Sequence, residues 1–181
     1  LVHRDIKPGN VIVRDDGSLV LVDFDAVAEL GGDGPRLGSD GYAAPELYDD
    51  DAAVGPAADV YAVAATLYRC LTGDRPPPAD QRMRAVAAGE PDPLPAPGQL
   101  LSPERFGGLG DALAQGLALD PARRPTDVAG WRKAYEALDW RLQQGDTDET
   151  GEFAPEARER LPLILLAMLV LALLAIAWFL V

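Results

Sequence analysis

Apolar residues occur along this chain in blocks, and the length of each block predicts a different element. The two shortest blocks, residues 11–13 and 19–23, are rich in β-branched side chains and flank an Asp-Gly turn at residues 15–18, a pattern typical of a β-hairpin. Residues 26–45 contain scattered Gly and Pro without a period, which indicates a loop. The first 45 residues therefore predict one short hairpin and little other regular structure.

Longer apolar patterns with helical spacing follow. Residues 57–71 are mostly apolar and precede Gly73, which predicts a buried helix that ends at the glycine, with Cys70 inside the core. Thr126 is expected to cap the last of the soluble helices. Three further predicted helices cover residues 79–88, 109–118 and 126–143, and a connector rich in Pro and Gly covers residues 89–103.

The last apolar block differs from the others because it has no polar stripe. Residues 161–181 carry no charge, and as a helix with a rise of about 1.5 Å per residue they would span about 31 Å, close to the thickness of a bilayer's hydrocarbon core. We expect one transmembrane helix here, and Arg158 and Arg160 favour a cytoplasmic side for the part that precedes it. Residues 144–160 are polar and mainly acidic, as in a solvated juxtamembrane linker, which leaves residues 1–143 as the folded domain.

The charge and cysteine content restrict the partners of the chain. Its formal net charge is −13, and no basic patch offsets this, so phosphate repulsion argues against a nucleic-acid partner. Cys70 is the only cysteine, so the sequence contains neither an intrachain disulfide pair nor the cysteine spacing of a zinc site. This composition fits a reducing, cytoplasmic compartment for the soluble part.

The residue types that carry chemistry are concentrated near the start of the chain. Residues 3–10 read HRDIKPGN, and this run resembles the catalytic loop of serine/threonine protein kinases. The resemblance implies that Asp5 accepts the proton of the substrate hydroxyl and that Lys7 reaches the transferred phosphoryl group. It also implies that Asn10 binds Mg²⁺ through its carboxamide oxygen.

A second segment resembles the metal-binding part of the same family. Residues 23–25 (Asp-Phe-Asp) follow the second predicted strand, as the family's Asp-Phe-Gly does, which makes Asp23 a Mg²⁺ ligand. Asp25 stands where the family has glycine, and aspartate adopts a positive φ less readily than glycine. The departure removes no required ligand.

A third segment, residues 38–46 (GSDGYAAPE), resembles the part of the kinase fold against which protein substrates dock. Ser39 stands in the place of a threonine whose hydroxyl bridges the catalytic aspartate and lysine. Those partners are Asp5 and Lys7 in this chain. Ser39 is therefore grouped with them as a catalytic residue.

The resemblance also implies a structural frame around the site. Glu46 is expected to pair with Arg124, which stands in the matching Asp-Pro-x-x-Arg context. Asp59 is expected to hold the backbone N–H groups of the catalytic loop. Within that loop, His3 is expected to pack in the core and Arg4 to organise the loop.

The fold class that follows is mainly α, the large C-terminal lobe of a protein-kinase-like fold with a short β-hairpin, plus one C-terminal transmembrane helix. The family's N-terminal lobe carries a glycine-rich phosphate loop and a strand lysine, and we find neither motif here, so we expect a sequence truncated at its N-terminus and inactive alone. The implied function is ATP- and Mg²⁺-dependent phosphoryl transfer to Ser or Thr of protein substrates. A single-pass membrane protein with a cytoplasmic kinase part is similar to bacterial receptor-type kinases.

Two other functions are weighed against this one. A catalytically inactive, kinase-like binding module at the membrane would not need the complete set of Asp5, Lys7, Asn10 and Asp23. A small-molecule phosphotransferase would not need a docking segment for proteins. Residues 24–38 contain no Ser, Thr or Tyr, so we do not expect control through phosphorylation of this loop. We expect it instead through the membrane segment, through a homodimer or through a sensor absent from this sequence.

Overall fold

The computed structural model describes residues 1–15, 18–29, 38–100 and 109–133, and helices dominate among them. The strands are β1 (Val11–Val13) and β2 (Leu19–Leu21). The helices are α1 (Ala57–Thr72), α2 (Ala79–Ala87), α3 (Pro97–Leu100), α4 (Leu109–Gly116) and α5 (residues 128–133), and turns of 3₁₀ helix cover Pro8–Asn10, Pro45–Tyr48 and Pro121–Arg123. The predicted mainly helical fold with one short hairpin is confirmed.

The hairpin directly follows the HRDIKPGN segment. Its two strands pair antiparallel, with Val11 opposite Leu21 and Val13 opposite Leu19. The second strand is two residues shorter than predicted. Asp23 has a φ of 67°, which lies far from the extended conformation of a strand, so the backbone turns away at this point.

Helix α1 lies at the centre of the hydrophobic core. Tyr61 and Val63 are fully buried, and the helix ends at Gly73, whose φ of 81° and N–H bond to the Arg69 carbonyl form a left-handed cap. The predicted helix and its glycine stop are confirmed. The core position predicted for Cys70 is wrong, because this residue lies in the last turn of α1 and is exposed.

Helix α4 packs closely against both α1 and α5. A Cβ atom at Gly116 would lie 2.7 Å from Cβ of Ala64 and 3.1 Å from the buried ring of Trp131, so only glycine permits this approach.

The cap predicted at Thr126 is wrong by one residue. The carboxylate of Asp127 accepts a hydrogen bond of 2.6 Å from the N–H of Gly130, which is the contact expected of an N-cap.

A buried ion pair joins the 3₁₀ turn Pro45–Tyr48 to the segment before α5. The Arg124 guanidinium donates to both carboxylate oxygens of Glu46, at 2.9 and 2.6 Å, and to the Ala57 carbonyl at 2.7 Å. The Arg124 side chain is 0% exposed and that of Glu46 is 5% exposed. The pair predicted from the sequence is therefore present, and it connects residues 78 positions apart.

A second buried arginine, which the sequence analysis did not single out, lies on α2. Arg82 donates to the Asp92 carboxylate, to the Tyr61 hydroxyl at 3.0 Å and to the Leu117 carbonyl at 2.9 Å. The guanidinium carbons of Arg82 and Arg124 lie 6.0 and 5.5 Å, respectively, from the centroid of the Tyr61 ring. Both distances are compatible with cation–π attraction.

Several predicted segments lie partly or wholly outside the described residues. The helix Pro97–Leu100 interrupts the predicted connector, whose residues 101–103 lie outside the described part. Residues 30–37 of the predicted loop also lie outside it, as do residues 134–181, which include the predicted linker and membrane span. Within the described ranges, no helix has the length and apolar character needed to cross a bilayer.

The ion pair between Glu46 and Arg124 provides a test of the core. We predict that Arg124→Met lowers the free energy of unfolding by about 3–5 kcal/mol, because it leaves a buried carboxylate without its partner. Arg84→Met is the matched control, since Arg84 forms an exposed pair with Asp80 that is worth about 1 kcal/mol or less. Urea denaturation of both variants measures the difference, and equal losses would contradict the account.

Candidate active site

The catalytic-loop segment is anchored by a carboxylate from the first turn of α1. Asp59 accepts hydrogen bonds from the N–H of His3 at 2.9 and 3.1 Å and from the N–H of Arg4 at 3.0 Å. Arg4 has a φ of 70°, a conformation that is uncommon outside glycine and needs support from its surroundings. The predicted contact between Asp59 and the loop is therefore present.

This anchoring carboxylate carries an electrostatic cost. Burial raises the pKa of Asp59 to about 6, although the two backbone N–H groups act in the opposite direction. Because the pKa in the folded protein lies above its ordinary value of 3.8, Asp59 holds more protons folded than unfolded between these values. Its contribution to stability therefore falls as the pH rises from about 4 to about 6.

The side chains of Asp5 and Lys7 in this loop meet that of Ser39. The Lys7 ammonium donates to the Asp5 carboxylate at 2.6 Å and to the Ser39 hydroxyl at 2.9 Å. The Ser39 hydroxyl donates to the other Asp5 oxygen, also at 2.9 Å. The structure thus brings together residues separated by 34 positions, with one carboxylate oxygen bonded to each partner.

Asn10 is held through its amide group, and its carboxamide oxygen makes no hydrogen bond to the residues that the structure describes. Its amide group donates to the Asp5 carbonyl at 2.9 Å and to the Asp5 carboxylate at 3.2 Å. The backbone carbonyl of Asn10 accepts a hydrogen bond from the backbone N–H of Val22. This bond brings Asp23, whose side chain is exposed, next to the loop. A carboxamide oxygen and a carboxylate are ligands that suit Mg²⁺, which usually takes its other ligands from water and phosphate.

The metal-binding segment differs from the expectation at one point. The positive φ belongs to Asp23 and not to Asp25, so the aspartate in the glycine position is not forced into the left-handed region. Within the described ranges, no group of three or more His, Cys, Asp and Glu side chains is arranged to bind a metal. The two residues that the resemblance implies as cation ligands, Asn10 and Asp23, would suit an ion bound together with a phosphate-bearing ligand.

His3 and Phe24 join the two segments through their rings. The ring centroids are 5.2 Å apart with an interplanar angle of 58°, and His3 is 7% exposed. Burial lowers the pKa of His3 despite the nearby carboxylates of Asp5 and Asp23. The structure places this histidine in the packing between the segments, as expected, and the sequence analysis gave no role to its ring contact with Phe24.

The docking segment turns sharply directly after Ser39. The N–H groups of Tyr42 and Ala43 both donate to the Ser39 carbonyl, at 2.9 Å each. Gly41 has a φ of 84°, and a Cβ atom there would lie 2.6 Å from the Pro76 carbonyl oxygen, so this position requires glycine. Motif matching did not identify this requirement, because it arises from a segment 35 residues away.

The predicted site residues are thus distributed in two layers. Asp5, Lys7, Asn10 and Ser39 are joined by direct hydrogen bonds, and Asp23 follows the residue bonded to Asn10. The residues with structural roles surround this group: His3, Arg4, Glu46, Asp59 and Arg124. Arg4 is buried in the loop, as its predicted organising role requires.

The sequence is similar to those of several known proteins. The chain is 38% identical over 130 residues to the serine/threonine-protein kinase PknD of Mycobacterium tuberculosis, covering 68% of this chain and 19% of PknD. It is 32% identical over 145 residues to PknL of M. tuberculosis, covering 76% of this chain and 35% of PknL. It is 33% identical over 146 residues to PknH of Mycobacterium bovis, covering 76% of this chain and 24% of PknH. The chain spans between 19% and 35% of the length of these relatives.

A solved structure, PpkA-294 in its apo form, has a similar fold. The TM-score is 0.56 at 24% identity, and the match covers 72% of this chain and 45% of that chain. Residues 1–128 match the protein kinase domain family, which is more than half of the chain and includes every predicted site residue. The chain therefore belongs to the protein kinase family.

Proposed function

We propose that this chain is the C-terminal lobe of a membrane-anchored kinase that transfers a phosphoryl group from ATP to Ser or Thr of protein substrates. The observation that carries this proposal is the set of hydrogen bonds joining Asp5, Lys7 and Ser39. The names of the relatives, all serine/threonine-protein kinases, support the same reaction class.

We assign different roles to the Asp5 carboxylate and the Lys7 ammonium group. Asp5 is within hydrogen-bonding distance of one hydroxyl, that of Ser39, so it is suitably placed to accept the proton of a substrate hydroxyl as well. The Lys7 ammonium fixes the Asp5 carboxylate through its hydrogen bond of 2.6 Å. It also places a positive charge beside the position that the transferred phosphoryl group would occupy. Ser39 ties both residues to the docking segment.

The remaining residues prepare the site for its nucleotide. Bound ATP with Mg²⁺ supplies the transferable phosphoryl group and a cation that neutralises its charge. Asn10 and Asp23 would hold the cation. Asn10 is kept in place by its two bonds to Asp5, so the metal-binding side chain and the proton acceptor are positioned together.

The proposal predicts that Asp5 and Asp23 are each required for turnover. We would join the N-terminal lobe of PknD to Leu1 and follow transfer from labelled ATP to Ser- or Thr-containing peptides. Asp5→Asn and Asp23→Ala are each expected to lower the rate by about 10³-fold or more, since each removes an interaction that stabilises the transferring group.

Matched controls separate chemistry from folding in this experiment. Asp111→Asn makes the same charge change as Asp5→Asn at an exposed position on α4 and is expected to leave the rate within a factor of about two. The 181-residue chain without the added lobe is expected to give no transfer. A chimera that binds ATP yet transfers nothing would favour the inactive binding module, and near-normal turnover by Asp23→Ala would contradict the roles assigned here.

We also propose that residues 161–181 anchor the kinase part on the cytoplasmic side of a membrane. The support is the uncharged run of residues in the sequence. After expression in bacteria, the chain is expected to remain in membranes during carbonate extraction, whereas residues 1–160 are expected in the supernatant. Protease added to spheroplasts should leave residues 1–160 intact. Recovery of the complete chain in the soluble fraction would refute the anchor.

A further inference from the structure

One charged side chain beside the catalytic group has no part in the proposed transfer. Asp40 directly follows Ser39, whose hydroxyl is bonded to Asp5 and Lys7 at 2.9 Å each. Consecutive Cα atoms are about 3.8 Å apart, so the Asp40 backbone lies one residue from a contact of the proton acceptor. The Asp40 side chain is exposed to solvent.

The backbone on both sides of Asp40 is fixed. On one side, Ser39 is held by its hydroxyl bonds and by the turn that returns Tyr42 to its carbonyl. On the other side, Gly41 lies against the backbone of Pro76 and the side chain of Arg75, with no room for a Cβ atom. Asp40 is therefore presented at the tip of a rigid turn, which reduces the entropy lost when it binds a partner.

Within the part of the chain that the structure describes, the Asp40 carboxylate forms neither an ion pair nor a side-chain hydrogen bond. The neighbouring Asp80 carboxylate differs in this respect, since it is paired with Arg84. Burial is the main reason why the pKa of Tyr48 is raised to about 12, and the nearby charges of Asp40 and Asp80 act in the same direction. Asp40 therefore offers an unpaired carboxylate at this edge of the site.

We propose that Asp40 determines substrate specificity by selecting protein segments with Arg or Lys beside the accepting Ser or Thr. The inference rests on the proposed function, because it requires a polypeptide whose hydroxyl reaches Asp5. Residues flanking that hydroxyl then pass the tip of the turn, where a cationic side chain gains a partner. An acidic side chain at the same place is repelled, both by Asp40 and by a chain with a net charge of −13.

Peptide binding to the 181-residue chain in detergent tests this inference without any transfer step. The probes are fluorescent serine peptides that carry Arg, or its neutral analogue citrulline, at the positions flanking the serine. Fluorescence anisotropy gives the ratio of the two Kd values. We expect the Arg peptide to bind about 2- to 5-fold more tightly at low salt, the range of an exposed ion pair, and the ratio to shrink in 1 M salt.

Two variants locate the origin of that ratio. Asp40→Asn is expected to bring it to about one, and Asp111→Asn, which makes the same charge change on α4, is expected to keep it. Equal Kd values for the two peptides, or a ratio that persists in Asp40→Asn, would overturn the inference. In the chimera with the PknD lobe, kcat/KM should show the same preference. Absence of transfer together with an intact binding ratio would contradict the proposed function and leave the role of Asp40 in binding supported.

Discussion

The hydrogen bonds from the backbone of His3 and Arg4 to Asp59 are the constraint on which this site depends. They join the catalytic loop to α1, the helix around which the core is built, across 55 and 56 positions of sequence. They also support Arg4 in a left-handed conformation that a chain rarely adopts without such support. The raised pKa of Asp59 shows what this anchor costs, since a carboxylate enclosed by protein loses hydration.

A second set of charges fixes the docking segment against the same helix. Glu46 and Arg124 are buried together, and the Arg124 guanidinium also donates a hydrogen bond to the carbonyl of Ala57, the first residue of α1. Ser39, seven residues before Glu46, then connects this segment to the catalytic loop through Asp5 and Lys7. Asp5 and the segment of residues 38–46 thus share one support, which explains how residues from three separate parts of the chain can form one site.

The sequence predicted the features that depend on local patterns. The hairpin and the helices follow from the spacing of apolar residues, and the grouping of Asp5, Lys7 and Ser39 follows from the family resemblance. The larger errors arise where tertiary contacts decide the structure. Cys70 fits the apolar pattern of α1 but lies beyond the packed part of the helix. The requirement for glycine at Gly41 and the burial of Arg82 depend on residues far away in the sequence, so no local pattern could reveal them.

Amide hydrogen exchange at His3 and Arg4, measured by NMR on the 181-residue chain, tests the anchoring role of Asp59 most directly. In the unmodified chain both amides should exchange slowly, because each donates to Asp59. In Asp59→Asn, one accepting oxygen becomes an NH₂ group, and protection at these two amides should fall by about 5- to 100-fold, as expected when a buried donor loses its partner at a cost of about 1–3 kcal/mol. Amides in the middle of α1 should lose much less. Unchanged protection at His3 and Arg4 would contradict the account.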